Sequence, residues 1–90
     1  MNEKIEHCVI IGGSSGIGLA TARRLVGPAM KVTITGRNED KLKDAWKSLG
    51  GTVGKAAFDA TMPNEVRRFF DGLGPFDHLV LAASGGKGLG

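Results

Sequence analysis

The apolar run Cys8-Val9-Ile10-Ile11 passes directly into Gly12-Gly13-Ser14-Ser15-Gly16-Ile17-Gly18. Glycine allows a tight turn that a side chain would block. A helix opening from that turn aims its free N–H groups, and the positive end of its dipole, at the same point. A strand, a glycine-rich turn and a helix in this order hold a pyrophosphate. The alternative is a tight strand-to-helix turn with no ligand. The strand before and the helix after are the context that supports a ligand.

The rest of the chain alternates in period. Glu6 to Ile11 reads as a first strand. Ile17 to Val26 reads as a helix whose broad apolar stripe carries Leu19, Ala20, Ala22, Leu25 and Val26, ended by Gly27-Pro28. Lys31 to Thr35 is β-branched and alternating, a second strand. Asn38 is placed to cap a second helix, with Glu39 and Asp40 in its first turn and Lys43 and Lys47 further along. Leu42, Trp46 and Leu49 form its buried stripe, and Gly50-Gly51 closes it. Thr52 to Phe58 is a shorter third strand. Pro63 opens a third helix with Val66, Phe69, Phe70 and Leu73 on one stripe, and Gly74-Pro75 stops it. Asp77 to Ala83, with Leu79-Val80-Leu81-Ala82-Ala83 at its centre, reads as a buried parallel strand.

The order β-α-β-α-β-α-β is an α/β arrangement, a partial Rossmann fold over residues 1–84. Residues 85–90 form a glycine-rich tail expected to be mobile. Right-handed crossovers give a parallel sheet of strand order 3-2-1-4, the first two helices on one face and the third on part of the other. Strand four then presents an open apolar edge, which predicts self-association or pairing with a missing C-terminal half.

Ninety residues make one small domain. The twelve Lys and Arg behind the net charge of +3 are scattered, so no nucleic-acid or membrane patch is expected. No stretch approaches the ~20 apolar residues of a membrane span. A single cysteine, Cys8, excludes a disulfide framework, and a reducing, cytoplasmic setting follows as the expectation. His7 and His78 stand alone without metal-ligand spacing, so no metal is expected.

Gly12-x-x-x-Gly16-x-Gly18 resembles the cofactor loop of short-chain dehydrogenases/reductases, and the likeness runs through nearly the whole chain over the cofactor-binding half of that fold. The resemblance implies that Gly12 makes the turn, Gly16 lets the cofactor approach and Gly18 allows close helix–strand packing. It also implies that Ser14, Ser15 and Ile17 line the dinucleotide. At the end of strand two, Gly36 stands where NAD-preferring relatives carry an acid, and Arg37-Asn38 follows. A guanidinium can grip a 2′-phosphate, so NADP(H) is expected over NAD(H). The plain alternative is an exposed arginine near a helix start. Asp59, with Ala60 beside it, matches the family aspartate that meets the adenine amino group; the alternative is an aspartate that caps the next helix or turns the chain into it, and both roles could hold. Ala82, Ala83 and Ser84 follow strand four, where backbone contact with ribose is implied. Two departures stand out. Ile11 replaces a threonine whose hydroxyl braces the loop, and Leu81-Ala82-Ala83-Ser84 replaces Asn-Asn-Ala-Gly.

The family transfers hydride between nicotinamide and a carbonyl or alcohol, using a tyrosine, a lysine and a serine. This chain has no tyrosine, so no catalytic residue is assigned and the catalytic half is taken as absent. A non-catalytic dinucleotide-binding or interaction module is the alternative reading.

Overall fold

The computed structural model describes residues 5–12 and 16–82. Its elements are β1 (Glu6–Ile11), α1 (Gly16–Leu25), β2 (Met30–Gly36), α2 (Glu39–Ser48), β3 (Gly54–Ala57), α3 (Pro63–Leu73) and β4 (His78–Leu81). The four strands form one parallel sheet of order β3-β2-β1-β4, as the crossover argument requires. β1 is central, and Val9 and Ile10 are wholly buried.

Period-two alternation sorts the strand residues. Cys8, Ile10, Val32 and Ile34 pack with Ala22 of α1 and Leu42 and Ala45 of α2 to make the main core. Asn38 caps α2, its side chain accepting from the Lys41 N–H at 3.0 Å. At the other end Gly50 and Gly51 have φ of 90° and 71°, and the Gly51 N–H returns to the Trp46 carbonyl at 2.9 Å. Leu42 is buried as expected. The centre of the stripe is Ala45, whereas Trp46 is half-buried and covers the helix end, donating its indole N–H to the Val53 carbonyl at 2.8 Å. α3 begins with proline in its first turn and buries no residue fully. An aromatic chain anchors it: Phe58 stacks on Phe69 at 4.8 Å between centroids, Phe69 meets Phe70 edge-on at 4.9 Å, and Phe70 meets Phe76 at 5.5 Å.

β4 differs from its expectation. It pairs with β1 in parallel, but Leu79 and Leu81 are 45% and 74% exposed. Alternation turns Val80 and Ala82 to the core cluster and Leu79 and Leu81 to the other face, and among the described residues no element lies beyond β4 in the sheet. His7 also differs, because it is not solitary. It is buried, its ring nitrogens lie 3.2 Å from the Pro75 carbonyl and 2.8 Å from the Thr33 hydroxyl, and its N–H donates to the Asp77 carboxylate at 2.8 Å. Beside it His78 pairs with Glu6. These contacts close the N-terminal edge of the sheet. No described helix is long and apolar enough to cross a membrane. The expected tail, residues 85–90, lies outside the described residues.

Candidate functional site

In a parallel sheet every strand delivers its C-terminal end to the same edge, and here that edge carries the candidate site. A cleft of about 180 Å³ is lined by Ile11 and Gly12 after β1, Thr35, Gly36 and Arg37 after β2, and Phe58, Asp59, Ala60 and Thr61 after β3. Gly12 has φ 92° and Gly16 φ 62°, conformations that side chains other than glycine's rarely adopt. Gly18 is buried on α1, and Ile17 beside it is 78% exposed at the mouth of the helix. Ser14 and Ser15 lie outside the described residues.

The turn has a hydroxyl brace, supplied by a residue that sequence reasoning passed over. Thr35, paired across the sheet with Ile11, is 2% exposed. Its hydroxyl donates to the Ile10 carbonyl and accepts from the Gly12 N–H, each at 3.3 Å, while its own carbonyl accepts the same N–H at 3.2 Å. Ile11 therefore packs, and the bracing comes from the neighbouring strand. The signal was present in the alternation of Lys-Val-Thr-Ile-Thr, but its use depends on register.

On the opposite wall Arg37 is exposed and faces the cleft with Asp59. Asn38 lies next to it with its side-chain oxygen held by the α2 cap. The Asp59 carboxylate turns the chain toward α3 without capping the helix, whose N-cap position is Met62. Its Oδ1 accepts from the Thr61 hydroxyl at 2.6 Å and the Thr61 N–H at 2.9 Å, and the Asp59 N–H donates to Glu65 at 2.9 Å. The Thr61 bonds, foremost the hydroxyl, and then the Arg37 guanidinium hold the Asp59 carboxyl below its ordinary range. Ala60 is an exposed part of the rim. On the β4 side the Ala82 N–H donates to the Ile11 carbonyl at 2.9 Å, beside the turn. Ala83 and Ser84 lie outside the described residues.

A cation, a carboxylate, an aromatic ring and a positive-φ glycine turn thus converge on one cleft, a donor and acceptor set that fits the adenosine end of a dinucleotide. A larger hollow of about 300 Å³ between β3 and α3, lined by Ala56, Phe58, Glu65, Arg68 and Phe69 among others, has no glycine turn. Chemistry, and not size, marks the smaller cleft. Burial raises the Cys8 thiol pKa, which makes it a poor nucleophile. No group of three or more metal-ligating side chains occurs among the described residues.

Comparison with known proteins agrees with this geometry. The sequence profile described as short chain dehydrogenase matches residues 6–89. A 3-dehydrosphinganine reductase of Arabidopsis thaliana is 39% identical over 82 residues, covering 87% of this chain and 25% of the relative. An NADP-dependent (R)-specific alcohol dehydrogenase of Lentilactobacillus kefiri is 50% identical over 44 residues, covering 49% of this chain and 18% of that enzyme. The L-sorbose reductase of Gluconobacter frateurii, solved with NADPH and L-sorbose, superposes with TM-score 0.69 at 30% identity, covering 88% of this chain and 34% of the reductase. The chain thus spans about a quarter of the reductase it matches in sequence and about a third of the one it matches in structure.

Proposed function

The chain belongs to the short-chain dehydrogenase family, and from that premise we propose that it binds NADP(H) in preference to NAD(H) at the C-terminal edge of the sheet. Gly12, Ser14, Ser15, Gly16, Ile17 and Gly18 take the pyrophosphate, Arg37 and Asn38 the 2′-phosphate, Asp59 and Ala60 the adenine, and Ala82, Ala83 and Ser84 the ribose toward the nicotinamide. The bound group would supply a hydride for reducing a carbonyl, or accept one from an alcohol. These residues bind and orient it. The observation carrying the preference is the exposed Arg37 on the cleft wall after a glycine, with no carboxylate at position 36.

The residues that would handle the substrate and its proton are proposed to lie in a catalytic half not contained in residues 1–90. The exposed Leu79 and Leu81 support pairing of that half, or of a second copy, along β4. A cytoplasmic setting fits the buried free Cys8.

Titration with NADPH and NADH, wild type against Arg37→Ala, tests the reading. One charge-assisted contact is worth about 1.5–3 kcal/mol, so NADPH is expected to weaken by about 10- to 150-fold in the variant while NADH changes little. Equal binding of both cofactors, untouched by the substitution, refutes the NADP assignment.

A further inference from the structure

Glu65 and Arg68 stand about one turn apart on α3, and both line the hollow of about 300 Å³ between that helix and β3. Unlike charges three residues apart on a helix are placed to pair, with about 5–6 Å between their Cβ atoms. These two do not pair. Glu65 gives Oε1 to the Asp59 N–H at 2.9 Å, and Arg68 makes no hydrogen bond or ion pair among the described residues. Beside them Phe58 and Phe69, stacked at 4.8 Å between centroids, form an apolar wall. On the β3 side Ala56 and Ala57 carry only methyl groups. The volume falls at the lower end of small-molecule sites, which run from about 300 to 1,000 Å³.

We propose that this hollow is a second binding site, for a free α-amino acid with an aromatic side chain. The carboxylate meets Arg68, whose planar fork can hold both oxygens. The ammonium meets Glu65, whose Oε2 makes no hydrogen bond among the described residues. The ring of the ligand packs against Phe58 and Phe69 in offset or edge-on contact. A simple anion would gain from Arg68 and be repelled by Glu65, and a simple cation the reverse. A molecule with both charges on one carbon satisfies the two together, and a residue inside a peptide chain has neither charge to offer. The hollow lies at the β3 edge of the sheet, whereas the pairing proposed above runs along β4 at the opposite edge, so that pairing does not fill it.

The test uses the full chain and three ligands: L-phenylalanine, 3-phenylpropanoate, which lacks the ammonium, and phenethylamine, which lacks the carboxylate. Affinities are read from amide shifts in NMR titrations without dinucleotide, so they succeed or fail independently of the cofactor reading. Phenylalanine is expected to bind about tenfold more tightly than either single-charge analogue, the low end for a charge-assisted contact because Arg68 is exposed. The shifts should fall on residues 56–58, 65, 68 and 69. Arg68→Met keeps the apolar stem and should weaken phenylalanine and 3-phenylpropanoate about tenfold while leaving phenethylamine unchanged. Glu65→Gln keeps an oxygen for the Asp59 N–H and should weaken phenylalanine and phenethylamine while sparing 3-phenylpropanoate. The proposal is overturned if wild type binds the three equally or binds none. It is equally overturned if both variants hold phenylalanine as wild type does, if either variant weakens all three ligands alike, or if the shifts map to the cofactor cleft instead. Hollow signals that move with protein concentration and not with ligand assign the face to a second copy of the chain and also overturn it.

Discussion

Gly54 carries the tightest packing constraint at the closed edge of the sheet. A Cβ there would lie 2.9 Å from Thr33 Oγ1 and 3.5 Å from Thr33 Cβ and Cγ2. The hydroxyl cannot move aside freely, because it is 2.8 Å from Nε2 of His7, a residue only 8% exposed. The other ring nitrogen, Nδ1, lies against the Pro75 carbonyl, which can only accept. In the neutral ring Nδ1 therefore carries the proton and Nε2 needs the Thr33 hydroxyl as its donor. Gly54→Ala forces either overpacking, at about 1–3 kcal/mol, or rotation of Thr33, which leaves a buried nitrogen unsatisfied at about 1–3 kcal/mol. The lower chain entropy of unfolded alanine returns about 0.4–1 kcal/mol. A net loss of about 1–2 kcal/mol follows, a fall in Tm of about 4–16 °C by circular dichroism for a domain this small. Thr33→Ala removes the obstructing oxygen. In that background Gly54→Ala should cost nothing, or stabilise by about 0.4–1 kcal/mol. An unchanged Tm for Gly54→Ala alone, or the same loss in both backgrounds, would refute the packing argument.

Other outcomes follow from the same contacts. Thr35→Val keeps the shape of the side chain but removes the hydroxyl that links Gly12 to Ile10; it should lower stability by about 0.5–1.5 kcal/mol and weaken NADPH several-fold, and an unchanged Kd would show the brace to be idle. Asn38→Ala removes the α2 cap and should cost about 1 kcal/mol in chemical denaturation, while Asn38→Asp keeps the acceptor and the stability. The Asp59 carboxyl is lowered from its ordinary value of 3.8 on folding, so the stability it adds is present above that value and is lost as pH falls through the lower folded value. Thr61→Val should narrow that acid window, as seen by comparing melting curves of the two proteins across it.

The elements were legible because each carries its own period, and β1, α1, β2 and α2 have a buried side that local spacing reveals. The glycine turn was legible for the same local reason. What escaped depends on distant partners. His7 looked solitary because its contacts lie 26, 68 and 70 residues away along the chain. The Thr35 brace exists because the register sets it opposite Ile11, which no local pattern states. The apolar composition of β4 reports that its residues favour burial, but burial also needs a neighbour, and the described sheet offers one on a single side. Asp59 was legible as a candidate, but its frame was not, since Glu65 reaches back from α3 to hold it.

The two edges of the sheet use their polar groups in opposite ways, and the closed edge serves the open one. At the N-terminal edge His7, Thr33, Asp77, Glu6 and His78 are bound to one another or to the backbone. At the C-terminal edge Arg37 and Asp59 line a cleft. The first arrangement fixes how β4 sits against β1. The Asp77 N–H donates to the His7 carbonyl at 2.8 Å, and the ladder then runs in step from Cys8↔His78 to Ile11↔Leu81. That step brings the Ala82 N–H to the Ile11 carbonyl, one residue before the Gly12 turn. A slip of one residue would turn every β4 side chain to the other face and break the Ala82 contact beside the turn. A contact set at the opposite edge of the sheet thus decides which residue of β4 lies beside the Gly12 turn.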